Sequence, residues 1–138
     1  MANNPGSRAD APKLKVDASF IMLVTNDAEW EQKVMQAGEK LLVIVDVYSS
    51  MWGPCEMLAG HFSNMFYDLG EDIGMRFVRA ESSKTAAIVQ YKDDCKPRFL
   101  FYHNGAEVAM VEGADLPKIT SVVNEKAPKL REAPNWSN

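Results

Sequence analysis

Three kinds of side chain in this 138-residue sequence could do chemistry: the thiols Cys55 and Cys95, the acid Asp46, and the imidazoles His61 and His103. Cys55 lies in the stretch Ser50-Met51-Trp52-Gly53-Pro54-Cys55-Glu56-Met57. That stretch reads as a Cys-Gly-Pro-Cys redox site in which tryptophan stands where the first cysteine would be. A thiolate at a helix start is a nucleophile whose pKa the helix dipole and exposed amides lower. Reversible disulfide exchange also needs a second thiol to resolve the mixed disulfide. Here the attacking thiol is absent, so two-thiol turnover within one chain would require Cys95, forty residues further on. The two histidines have no ligand-spaced partners, and no metal or other cofactor is expected.

The elements that must position these residues follow from the apolar pattern. Leu41–Tyr48 is almost continuously aliphatic and β-branched, as expected of a central strand covered on both faces, with Asp46 its one interruption. Pro54 suits the first turn of a helix predicted over residues 54–69, with Met57, Leu58, Phe62, Met65, Phe66 and Leu69 as its buried stripe and Gly70 as its end. Before it come a short strand at 20–24 and a helix capped at Thr25, Asn26 or Asp27, carrying Trp30, Val34 and Met35 and stopped by Gly38. After it come a strand at 75–80, a short helix at about 84–91, and a strand at 98–102 opened by Pro97. His103-Asn104-Gly105 is a hairpin turn, since Asn-Gly readily supplies positive φ, and 107–111 is its return strand. Asp115 caps a last helix with Leu116, Ile119, Val122 and Val123 inward. The order βαβαβαββα implies an α/β fold, a mixed central sheet flanked by helices.

Residues 1–17 carry Pro5, Gly6 and Pro12 without periodicity and are expected to form a flexible arm. The domain is predicted over 18–127, with a flexible tail over 128–138. Lys+Arg 15 against Asp+Glu 19 gives a net charge of −4. Without a basic cluster to override it, that balance excludes a nucleic-acid interface. No apolar run reaches the roughly 20 residues that cross a bilayer. The polar start, MANNPGSRADAPKLK, lacks the apolar core of a signal peptide, so a cytoplasmic location is expected, with no membrane partner. Two cysteines suit a reducing compartment rather than a disulfide framework.

Over roughly residues 20–126 the chain resembles a thioredoxin. The matches are Val45-Asp46-Val47 on the central strand, Gly53-Pro54-Cys55 at the helix start, Pro97 before Phe99-Leu100-Phe101, and Gly113 before the last helix. The segment from Ala80-Glu81 through Tyr91 to Cys95-Lys96-Pro97-Arg98 and on to Tyr102 is narrower. It resembles the thioredoxin-like light chains of axonemal outer-arm dynein, and is similar to the thioredoxin domains fused to nucleoside diphosphate kinase modules in ciliated cells. The resemblance implies a thioredoxin fold and, with the attacking thiol lost, a protein-binding subunit of a cilium or flagellum axoneme. Its partner would be a dynein heavy chain or another axonemal subunit. A single-thiol redox enzyme or sensor acting through Cys55 or Cys95 is the alternative.

What the resemblance implies for single residues can be stated in the same terms. Aligned without a gap, Trp52 takes the attacking position and Met51 the one before it; with a deletion, Trp52 keeps the family's usual tryptophan and the cysteine is missing. Cys55 would point inward under the helix start, making two free thiols the expectation rather than a Cys55–Cys95 bond. Asp46 matches the acid that assists the resolving cysteine. Without the attacking thiol it reads better as an inherited buried acid, hydrated or neutral. Pro97 resembles the family's cis proline, which leaves backbone groups open to an extended peptide. Trp52, Gly53, Pro54, Cys55 and Asp46 are therefore a vestigial site. Met51, Trp52, Cys95, Pro97 and Arg98 are the candidate partner-binding residues, with Trp52 either an exposed apolar knob or packed down over the helix end.

Overall fold

A computed structural model describes residues 18–54 and 56–130. Its five strands are β1 (Ile21–Val24), β2 (Leu42–Tyr48), β3 (Met75–Glu81), β4 (Arg98–His103) and β5 (Ala106–Glu112). They lie in the order β1-β3-β2-β4-β5, which makes the aliphatic β2 the middle strand. β1 and β2 run parallel to β3, and β2–β4 and β4–β5 are antiparallel. The mixed sheet flanked by helices is thus the one the sequence implied. The hairpin turn also forms as expected, with φ of 52° at Asn104 and 82° at Gly105.

Alternation along β2 divides the core into two layers. Leu42 and Ile44 face a cluster with Phe62 of α2 (Ala59–Leu69), Phe77, Phe99, Phe101, and Ile119 and Val123 of α3 (Leu116–Lys126). Val43, Val45 and Val47 face the other cluster, with Trp30, Val34, Val78, Ile88 and Leu100. Phe62 anchors α2 on the sheet, its ring 4.9 Å from that of Phe77 and 5.7 Å from that of Phe99. Burial of each such ring contributes about 2–3 kcal/mol. Asp46 continues the Leu42–Ile44 row, so its carboxylate lies on the α2 side of the sheet.

The helices depart from the sequence reading in informative ways. α1 (Asp27–Trp30), whose amide at Glu29 donates to the Asn26 side chain, widens into a π turn over Glu31–Met35. The segment after β3 forms 3-10 turns at Ser82–Lys84 and Ala86–Tyr91 rather than one helix. α2 begins at Ala59, not Pro54, behind a Leu58 that offers no side-chain cap. Gly53 holds φ of 79°, outside the helical region, and residues 56–58 form an irregular turn. Met57 therefore leaves the predicted buried stripe for solvent, and Leu69 is exposed as well.

The first residues of the expected tail are bonded to the fold. Lys129 makes an antiparallel bridge with Ile73, Gly74 N–H donates to the Pro128 carbonyl at 2.8 Å, and Leu130 N–H donates to that of Asp72 at 2.8 Å. Those backbone bonds keep 128–130 on the fold. The arm at 1–17 and residues 131–138 lie outside the described residues.

Candidate functional site

Between β2 and α2 the chain makes a turn closed on Ser49. The N–H groups of Trp52 and Gly53 donate to the Ser49 carbonyl at 3.0 and 2.7 Å, and Met51 N–H donates to Ser49 Oγ at 3.2 Å. Positive φ at Gly53, which only glycine adopts without cost, lets the chain leave this turn toward α2. The turn projects side chains rather than packing them. Trp52 is 59% exposed, Met51 75% and, beyond Pro54, Met57 77%. Of the two dispositions open for Trp52, the structure has the exposed knob.

Beneath the turn, Asp46 is buried but not alone. Arg79 stands beside it in register on β3, its Nε 3.7 Å from Asp46 Oδ2. The same guanidinium donates from Nη2 to Glu56 Oε1 at 2.9 Å. The inherited acid expected to be neutral or hydrated therefore sits beside a partly buried cation. Arg79 ties the floor of the site to the segment just ahead of α2. At the end of β2, the Tyr48 phenol is pushed above its ordinary range, by burial first and then by the Glu81 carboxylate, so it remains a neutral hydroxyl.

The second wall is the loop before β4. Cys95 is a free, exposed thiol. No peptide bond among the described residues is cis, so Lys96–Pro97 is trans, the form an X–Pro bond favours by ~0.5–1 kcal/mol, and not the expected cis form. Pro97 accepts from Gly113 N–H at 2.7 Å, which ties the loop to the end of β5. Arg98, one of the candidate partner-binding residues, is engaged within the fold. Its side chain is buried, donating from Nη2 to Asp94 Oδ2 at 2.6 Å and from Nη1 to Glu112 Oε2 at 2.8 Å. Its guanidinium carbon lies 4.3 Å from the centre of the Tyr91 ring. Asp94 also accepts from Lys96 N–H at 3.0 Å. Its carboxyl is held below the ordinary range, chiefly by the Arg98 hydrogen bond and then by that amide. Arg98 is thus a clamp that fixes the loop, a role its place beside Pro97 did not reveal.

Together the two walls line a groove of about 300 Å³ with Asp46 on its floor and Trp52, Pro54, Met57, Cys95 and Pro97 at its sides. The structure therefore brings together Asp46, Trp52, Gly53, Pro54, Cys95 and Pro97. Met51 stands on the adjoining turn, Arg98 lies behind the loop, and Cys55 lies outside the described residues. Arg79 and Glu56 escape sequence reasoning because they meet only in the fold, whereas Asp94 lies four residues before Arg98 and that spacing is its one local signal. Met57 was assigned to the core.

A family model described as thioredoxin matches residues 21–125. The chain belongs to the thioredoxin family. A relative in Chlamydomonas reinhardtii, the "Dynein 14 kDa light chain, flagellar outer arm", is 32% identical over 111 residues, which cover 80% of this chain and 84% of that one. The "Thioredoxin domain-containing protein 6" of Xenopus laevis is 33% identical over 112 residues, 81% of this chain but only 17% of the other. Among solved structures, a Fasciola hepatica thioredoxin superposes with a TM-score of 0.61 at 20% identity, covering 76% of this chain and 98% of that one. The Malassezia sympodialis thioredoxin gives 0.59 at 22%, covering 77% and 92%. Such identities establish the thioredoxin fold. Among the described residues of this thioredoxin-like chain, no group of three or more His, Cys, Asp or Glu could hold a metal, and no helix is long and apolar enough to cross a membrane.

Proposed function

We propose that this thioredoxin-like chain is a protein-binding subunit without dithiol oxidoreductase activity. It would serve as a light chain of axonemal outer-arm dynein, or of a related ciliary complex, with a dynein heavy chain or another axonemal subunit as its partner. Its place would be the cytoplasm and the axoneme of a cilium or flagellum. One observation carries the docking part: where an attacking thiol would stand, the chain presents Trp52 in solvent, with an exposed Met51 next to it in the sequence and an exposed Met57 lining the same groove. An exposed aromatic flanked by apolar side chains is the composition of an interface hot spot. The flagellar light chain among the relatives, matched over most of both chains, supports the choice of complex.

A second reading rests on Cys95, which is free and exposed inside the same groove. A single thiol there could form a mixed disulfide with a partner thiol, though the chain would then need an outside thiol for release. Insulin reduction tests the enzymatic side. With dithiothreitol or a thioredoxin reductase as electron source, the full chain is expected to work no faster than its Cys55→Ser variant. Turnover clearly above that control would overturn the loss of dithiol activity, and turnover that disappears in Cys95→Ser would establish the single-thiol reading. Purification of the endogenous complex and identification of the chain's neighbours tests the axonemal assignment.

A further inference from the structure

The groove's sulfur chemistry is not confined to its thiols. Of the seven methionines among the described residues, Met51 and Met57 are by far the most exposed, at 75% and 77%. The next are Met110 at 45% and Met22 at 38%; Met35 and Met65 are partly buried, and Met75 is 5% exposed. Met110 differs in a second way, because its sulfur accepts from Arg98 Nη1 at 3.2 Å, which engages a lone pair. Met51 and Met57 flank Trp52 on both sides in sequence, and Met57 lines the groove with it. The methionines most open to an oxidant are therefore the two that lie beside Trp52 in the sequence.

We propose that Met51 and Met57 form an oxidative-modification site, and that their conversion to sulfoxides by a peroxide weakens docking on the Trp52 face. The effect on docking rests on the function proposed above; the order of oxidation does not. In the chemical step a thioether sulfur attacks one oxygen of hydrogen peroxide. An S–O bond forms as the O–O bond breaks, the sulfur gives up two electrons, and the second oxygen leaves as water after taking the proton from the attacked oxygen. A flexible apolar side chain becomes a polar one with a new acceptor oxygen. Covering that oxygen in an apolar contact without a donor should weaken docking about tenfold or more. Redox sensitivity would then have passed from a thiol pair to a thioether pair at the same site, with reversal by a methionine sulfoxide reductase in place of a dithiol.

The test uses the full chain and dilute hydrogen peroxide, followed by dithiothreitol, which reverses disulfide and sulfenic states but leaves sulfoxides. Peptide mass spectrometry should show Met51 and Met57 oxidised first, Met110 and Met22 later, and Met75 last. Equal or faster oxidation of Met110 or Met22 would overturn the proposal. Reassembly onto complexes stripped of the chain should fall about tenfold after oxidation. A Met51→Leu, Met57→Leu variant, compared with its own untreated assembly, should lose none of it to peroxide. If that variant stays sensitive, or if oxidation leaves assembly intact while Trp52→Ala weakens it, the switch is refuted and docking stands. If neither oxidation nor Trp52→Ala affects assembly, the docking reading itself has failed and the switch fails with it.

Discussion

The turn that carries Trp52 and the loop that carries Pro97 line the same groove but are held by different forces. The first is fixed by backbone hydrogen bonds to Ser49 and points Met51 and Trp52 at solvent. The second is fixed by a buried guanidinium that gathers Asp94, Glu112 and Tyr91 behind the loop. Side chains on the Trp52 turn touch little of their own fold, so their loss costs the fold little. Loss of Arg98 removes the tie that shapes the other wall. One groove thus separates into a face free to serve a partner and a face committed to architecture.

Arg98→Ala should break that contrast most severely. Removal of one member of a fully buried ion pair costs about 3–5 kcal/mol. Glu112 and part of Asp94 reach water, so about 2–3 kcal/mol is expected here, a fall of roughly 10 °C in Tm by calorimetry or circular dichroism. Arg98→Lys should lie between, because an ammonium keeps the charge but loses the fork that spans two carboxylates. An Arg98→Ala melt equal to that of the native chain would remove the distinction between the walls.

Acid should sharpen the same contrast more gently. Asp94 titrates below its ordinary value of 3.8, chiefly because Arg98 donates to its ionised form. The folded chain therefore takes up this proton less readily than the unfolded one. The stabilisation is complete above the unfolded value and is lost as pH falls through the folded value. Below about pH 4, Asp94→Asn should show a shallower loss of stability than the native chain. Parallel acid melts of the two proteins would show that Asp94 does not support the loop. The smallest effect on the fold is expected at Trp52, where alanine should change stability by no more than about 0.5 kcal/mol.

What the sequence revealed and what it hid divide along the same line. The aliphatic run of β2, the Asn-Gly hairpin and the inward row of α3 are local signals, and each appears in the structure. Trp52, Gly53, Pro54, Asp46, Cys95 and Pro97 were linked only through the resemblance to thioredoxins, since no local pattern joins the segment after β2 to the loop before β4; all six line one groove. The Asp46–Arg79 pair depends on the register of β2 against β3, which no short stretch encodes. The clamp at Arg98 stayed hidden because Glu112 reaches it only through the β4–β5 pairing, while Asp94 and Tyr91 lie just ahead of it in a turn with no periodic signal. α2 begins late for a related reason. Pro54 is compatible with a first helical turn but does not create one. The left-handed Gly53, the uncapped Leu58 and the tie from Glu56 to Arg79 postpone the helix to Ala59.

The central claim is that the vestigial thiol site has become a docking face, and its most direct test is the affinity of Trp52→Ala for complexes stripped of the chain, measured beside its melting temperature. Truncation of a central interface aromatic typically costs about 2 kcal/mol or more. The expected result is therefore about thirtyfold weaker assembly with Tm essentially unchanged. Assembly equal to that of the native chain, or a Tm lowered as far as the affinity, would contradict it.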